Sequence, residues 1–86
     1  MSRVVVHRNA AGYLQKLPKN RREKIKTILK ELEDNPLGHV HIKHMLGEWV
    51  GYHRLRVGAL RIIFYYDESE DTVYVDHIGS RGDVYK

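Results

Sequence analysis

Three arginines, Arg54, Arg56 and Arg61, stand in the stretch Tyr52 to Tyr66 together with Tyr52 and Tyr65, and their spacing puts them on one surface. Gly58 follows Val57 and can take φ > 0 at no steric cost, as a tight hairpin turn requires. A two-residue Gly58-Ala59 turn with glycine first makes Val57 face Leu60, Leu55 face Ile62 and His53 face Phe64. That face is mostly apolar. The opposite face pairs Arg56 with Arg61, Arg54 with Ile63, and Tyr52 with Tyr65. Like charges directly opposite each other on a sheet are destabilising. Guanidinium groups keep their charge and present a planar fork that fits phosphate. Three of them beside two tyrosines suit the binding of an anion. The plainer alternative is that Arg56 and Arg61 splay apart and are solvated.

The rest of the chain must position that hairpin. Arg3-Val4-Val5-Val6-His7 is a β-branched run and reads as a strand. Asn9 is a good N-cap for the helix that follows. Ala10, Tyr13, Leu14 and Leu17 repeat at i, i+3, i+4, i+7, one helical face. Pro18 separates this helix from the next. Lys19 to Asp34 is the strongest helical segment, with Ile25, Ile28, Leu29 and Leu32 on one face and Arg21, Arg22, Lys24, Lys26 and Lys30 largely on the others. That basic face reads as solvated, with contact to phosphates as the alternative. Asn35-Pro36 ends the helix. Leu37 to Gly47 reads as a loop or short turn. Strands follow at Glu48 to Val57, Leu60 to Asp67 and Thr72 to Ile78, with Asp67-Glu68-Ser69-Glu70-Asp71 as an exposed acidic connection. The order β-α-α-β-β-β predicts an α+β fold, a helical hairpin on one face of a curved, mainly antiparallel four-stranded sheet. The arginine face would then be open.

Composition narrows the function classes. The chain has 86 residues and no cysteine, which predicts a single domain over residues 1–86 with no disulfide framework or thiolate chemistry. The N-terminus holds only three consecutive apolar residues, too few for a signal-peptide core or a membrane span. A cytoplasmic protein with no membrane partner is the expectation. Net charge is +4, with a pI near 9.5, which suits a nucleic-acid or ribosome binder by electrostatics. Many soluble domains carry similar excess charge, so the distribution matters more. No acid lies between Trp49 and Tyr66.

Other chemistry-bearing residues are weaker signals. His39, His41 and His44 fall within six residues, but no cysteine or suitably spaced acid completes a zinc set, so they read as surface or anion-contacting side chains. His53 and His77 fall on strand positions assigned to the packed face or its edge, as structural histidines. Trp49 is expected to anchor the packed face. No phosphate-binding glycine loop and no paired carboxylates for acid–base work stand out. Chemistry here would rest on arginine, tyrosine and histidine.

The hairpin Leu55-Arg56-Val57-Gly58-Ala59-Leu60-Arg61-Ile62-Ile63-Phe64-Tyr65, then Val73-Tyr74-Val75, then Ile78-Gly79-Ser80-Arg81-Gly82-Asp83-Val84-Tyr85, resembles the RelE/ParE toxin superfamily, and RelE most. The element order, the leucine-proline break and the Asn-Pro helix end extend the resemblance over the chain. It implies a toxin of a type II toxin–antitoxin pair that cuts messenger RNA in the ribosomal A site, without a metal or other cofactor, and that is held by a cognate RelB-like antitoxin. The implied catalytic residues are Arg61 and Arg81 on the scissile phosphate, Tyr85 on a base or in proton transfer, and Arg54 where RelE has a catalytic lysine. Tyr52, Arg56, Tyr65 and Lys43 would contact the RNA. The chain departs from RelE in having Tyr52 and Arg54 where RelE has a lysine pair. Arginine does not readily lose its proton, so the general base is unassigned. Tyr85 and Tyr52 qualify only if nearby guanidinium charges lower their pKa values. Two other readings stay open: a ParE-like toxin that inhibits DNA gyrase, and a non-catalytic RNA- or ribosome-binding domain.

Overall fold

Alternation of apolar and polar residues builds a sheet with two unlike faces, and a computed structural model shows what covers each. It describes residues 2–38, 42–45, 47 and 50–80. The chain runs β1 (Arg3–Val6), α1 (Arg8–Lys16), α2 (Lys19–Asp34), β2 (Ile42–His44), β3 (His53–Val57), β4 (Leu60–Asp67) and β5 (Thr72–Ser80). The strands form one five-stranded sheet in the order β1-β5-β4-β3-β2. β1 pairs parallel to β5, and every other pairing is antiparallel. The fold is thus α+β with a mainly antiparallel sheet, as expected, but the sheet has five strands, not four. The additional strand is β2, in a segment read as loop from sequence. It pairs Ile42 with Leu55, Lys43 with Arg54 and His44 with His53. Three residues are too few to establish an alternating pattern, which is why only pairing reveals it. β3 also starts later than expected, because Val50 and Gly51 form a turn with Gly51 at φ 93°.

The helices supply one layer. Ala10 is buried, and Tyr13, Leu14 and Leu17 pack against the core, as their spacing requires. Ile25 and Leu32 are buried on α2, with Ile28 and Leu29 partly so, while Arg21, Lys24, Lys26 and Lys30 are exposed. The cap of α1 differs from expectation. His7, not Asn9, is the N-cap, and its Nδ1 accepts a hydrogen bond from the Asn9 amide at 3.2 Å. An imidazole acceptor does here what the asparagine carbonyl was expected to do. Among the described residues no helix is long and apolar enough to cross a membrane.

The core lies between the helices and one sheet face. It holds Leu55, Val57, Leu60, Ile62, Phe64, Val73, Val75 and Ile78 beside the helix residues, with Val4 and Val6 packed against it. The β3–β4 register is His53↔Phe64, Arg54↔Ile63, Leu55↔Ile62, Arg56↔Arg61 and Val57↔Leu60. Every pair agrees with a Gly58-Ala59 turn. Gly58 sits at φ 61°, and Asp71 is the single described non-glycine residue with positive φ, so Ala59 does not share the left-handed region. Glycine first and a right-handed residue second is the type II′ pattern.

The acidic β4–β5 connection is ordered by its own carboxylates. Asp67 accepts hydrogen bonds from the Ser69 and Glu70 amides and from the Ser69 hydroxyl. Asp71 Oδ1 accepts from Ser2 Oγ at 2.7 Å and from the Tyr66 hydroxyl at 2.5 Å, and these bonds hold its carboxyl below the usual carboxylate range. Ser2, just before β1, is thereby tied to the loop that leads into the neighbouring strand β5. Leu55 is fully buried at the centre of the helix-side core. Leu55→Ala should lower unfolding stability by about 2–5 kcal/mol, read from denaturant titration of the purified chain. A loss below about 1 kcal/mol would mean that this layer is not the core.

Candidate functional site

Strand alternation places Arg54 and Arg56 of β3, and Arg61, Ile63 and Tyr65 of β4, on the sheet face away from the helices. Cross-strand partners share a face, so the register extends this surface in rows. One row runs Gly79–Arg61–Arg56. The next runs His77–Ile63–Arg54–Lys43. In the third, Tyr74 pairs with Tyr65, and the Tyr52 ring lies 5.2 Å from Tyr65, edge to face. Of the expected site residues, Arg54, Arg56, Arg61, Tyr52, Tyr65 and Lys43 are therefore brought together. Arg81 and Tyr85 lie outside the described residues, as do His39, His41 and Trp49.

The depth of the site varies sharply. Arg56 is exposed and Arg54 half-buried, but Arg61 is only 8% exposed. An open arginine face was expected, so this burial is a correction. Its cause is position: β4 is the central strand, and Arg61 lies between Arg56 and Gly79, which has no side chain to displace it. Ile63 is fully buried yet belongs to no part of the helix-side core. It forms an apolar floor beneath the longer side chains of its row. A shallow pocket of ≈ 240 Å³ opens between Arg56, Arg61 and the Gly58-Ala59 turn. Two like charges flanking a pocket are a poor stability choice and a good anion cradle.

The tyrosines form a ladder from β5 through β4 to Tyr52, the residue just before β3. Tyr65 and Tyr74 are stacked, with centroids 4.9 Å apart and planes 20° from parallel. The Tyr74 hydroxyl donates to Glu70 Oε1 at 2.6 Å, which fixes its ring. Tyr74 was not singled out from sequence. The signal was there, since its register partner Tyr65 was, but the β4–β5 register could not be read without a known turn length. A smaller pocket of ≈ 140 Å³ adjoins the ladder, lined by Val5, His7, Tyr65, Tyr74, Val75 and Asp76. Burial, then the Asp76 carboxylate and Tyr65, push the Tyr52 phenol up from its ordinary value. Tyr52 is therefore corrected as a candidate base: its proton is held more tightly, not less.

A register shift between Ile63 and Phe64 changes the far strand. Ile63 pairs with His77 and Phe64 with Val75, so Asp76 is an extra residue on β5. The bulge sends Asp76 and His77 to the same face, and returns Ile78 to the core. His77 was expected on the packed face, and simple alternation from Val73 and Val75 would have put it there. It lies instead on the arginine face, with Nδ1 2.5 Å from Asp76 Oδ2. His53 does lie on the packed face. Its ring is 4.6 Å from His44 and 5.5 Å from Phe64. Among the described residues no group of histidines and acids is arranged to hold a metal ion.

A family model for the ParE toxin of the type II toxin–antitoxin system parDE matches residues 4–85. The chain belongs to that family, within the RelE/ParE superfamily. It is a toxin of the type II class. Solved structures share its fold. The archaeal RelE of a RelE–RelB complex from Pyrococcus horikoshii OT3 is 23% identical, with a TM-score of 0.83 over 96% of this chain and 98% of that one. The toxin–antitoxin complex RelBE2 from Mycobacterium tuberculosis gives 23% identity and a TM-score of 0.81, over 93% of this chain and 98% of the other. The isolated E. coli RelE toxin gives 19% and 0.77, over 99% and 92%. No curated protein matches significantly. At these identities the likeness speaks for fold, and the chemistry of this toxin must come from its own side chains.

His53 gives a test of the two-faced sheet. Desolvation first, then His44, hold its imidazole below the ordinary value. The unfolded chain therefore binds this proton more readily than the folded one. The stability tied to neutral His53 is present above the ordinary histidine range, near about 6.5, and is lost as pH falls from there through the lower folded value. Histidine titration by NMR should find the His53 midpoint below that of a solvated histidine. His44→Ala should raise it only in part, because burial remains. A midpoint at or above the ordinary value would place His53 on the wrong face.

Proposed function

We propose that this toxin is a ribosome-dependent mRNA endoribonuclease that acts in the A site and so inhibits translation. One observation carries the reading: Arg61, charged and nearly buried, sits at the centre of the face that also gathers Arg54, Arg56 and Lys43. A nearly buried guanidinium with other cations on the same face is suited to an anion, and the phosphodiester is such an anion. In the proposed reaction the 2′-oxygen attacks the adjacent phosphorus and the 5′-oxygen leaves, which gives a 2′,3′-cyclic phosphate. Arg61, with Arg81, holds the non-bridging oxygens as charge builds on them. Arg54 adds to the same field from the neighbouring row. Tyr52 and Tyr65 offer stacking surfaces to flanking bases, and Arg56 and Lys43 contact backbone phosphates. Tyr85 orients a base at the cut. The partner that restrains this activity would be a cognate RelB-like antitoxin, since similar toxins from Pyrococcus horikoshii and Mycobacterium tuberculosis were solved in such complexes.

A second reading follows from the family model, which is named for ParE. A ParE-like toxin would inhibit DNA gyrase and cut no message. Cell-free translation with the purified chain, followed by primer extension on the message, separates the two. Codon-positioned cuts that appear only with ribosomes support the nuclease. Intact message with inhibited supercoiling supports ParE, and intact message with tight ribosome binding supports a non-catalytic module.

In the same assay Arg61→Ala and Arg81→Ala should each lower the cleavage rate by at least about 10²- to 10³-fold, the usual cost of removing a group that stabilises transition-state charge. Circular dichroism should remain that of the folded chain. Normal cutting by either variant would remove that arginine from the phosphate site.

A further inference from the structure

We infer that His77, oriented by Asp76, is the general base that takes the proton of the attacking 2′-hydroxyl. This rests on the ribonuclease reading above. The β5 bulge is the first support. It inserts Asp76 and thereby rotates His77 out of the core and into the row His77–Ile63–Arg54. Bulges commonly re-aim a side chain at a functional surface. The second support is the contact between Nδ1 of His77 and Oδ2 of Asp76, 2.5 Å long. Nδ1 has essentially no exposed surface, whereas the His77 side chain as a whole is 44% exposed. With Nδ1 shielded beside the Asp76 carboxylate, Nε2 is the ring nitrogen left for a substrate.

Position completes the case. His77 is the cross-strand partner of Ile63, and Arg61 is two residues along β4 on the same face. Such diagonal neighbours lie roughly 7–8 Å apart, within reach of long side chains. A phosphate held by Arg61 over the Ile63 floor would put the neighbouring ribose within range of the imidazole. The other candidates in the described site fail chemically. Arg54 does not give up its proton, and Tyr52 holds its proton more tightly than a free phenol. The charged and titratable groups on the strands beside His77 are Asp76 and Tyr74 on β5, Arg61 and Tyr65 on β4, and, further along its row, Arg54 on β3 and Lys43 on β2.

The step balances without a further reactant. Nε2 takes the 2′-hydroxyl proton as the 2′-oxygen bonds to phosphorus. The P–O5′ bond breaks, the 5′-oxygen takes a proton from water, and the imidazolium returns its proton to solvent. Single-turnover cleavage on programmed ribosomes tests the assignment, with ribosome affinity measured separately by sedimentation. His77→Gln should slow cleavage by about 10²- to 10⁴-fold, abolish the ascending limb of the pH–rate profile and leave affinity unchanged. Added imidazole should partly restore His77→Ala, which a merely structural histidine would not allow. Asp76→Asn should slow cleavage less and keep the limb. If His77→Gln cuts at the parent rate with the same profile, the assignment is overturned while the nuclease reading stands. If the parent chain cuts no message under any condition, both fall.

Discussion

A glycine at φ 61° fixes the register on which both faces of this sheet depend. Gly58 allows the chain to reverse in two residues, and the β3–β4 pairing then follows without freedom. A shift of one residue would turn one strand over relative to the other, exposing either Leu55 or Ile62 and Phe64 and bringing arginine from that strand under the helices. The hydrophobic layer and the cationic layer are thus two consequences of one turn. The helices bind to the apolar side through Ala10, Ile25 and Leu32. The other side carries Arg56 directly opposite Arg61, two like charges that suit an anion.

The second constraint is the bulge at Asp76, which acts on the same face from the other side. Without it, β5 would offer one carboxylate to the arginine surface and send an imidazole into the core. With it, the carboxylate and the imidazole stand together beside the Ile63 row, and Ile78 returns to the packed layer. The face therefore carries more than cations. It has fixed charge at Arg61, a stacked aromatic run through Tyr65 and Tyr74, and a titratable pair between them. Fixed charge and a proton acceptor suit phosphodiester transfer, and stacked aromatics suit the binding of single-stranded RNA.

What could be read from sequence, and what could not, follows from how local each feature is. The hairpin register was legible because a period of two and a single glycine leave one solution. The two helices were legible because Ala10 to Leu17 and Ile25 to Leu32 repeat over whole turns. β2 was not, since a three-residue edge strand carries no periodic signal. The bulge was not either: Val73-Tyr74-Val75-Asp76-His77 alternates cleanly, and only pairing with β4 shows where the alternation slips. That slip misplaced His77, so sequence offered only Tyr52 and Tyr85 as conditional candidates for the base. Tyr74 was overlooked for the same reason, because its neighbour on the face is set by the β4–β5 register. Arg61 was recognised, but its burial comes from the central position of β4 and from Gly79 beside it, and both are properties of the assembled sheet.

The central claim is that messenger RNA crosses the sheet face away from the helices with its scissile phosphate on Arg61. The most direct measurement is an electron cryo-microscopy structure of this chain on a ribosome whose A-site codon carries 2′-O-methyl groups, so that no cut can occur. The account predicts the phosphate within hydrogen-bond distance of the Arg61 guanidinium, with the His77 imidazole facing the blocked 2′-oxygen. Message lying instead against the lysines of α2, or an A site without the chain, would contradict it.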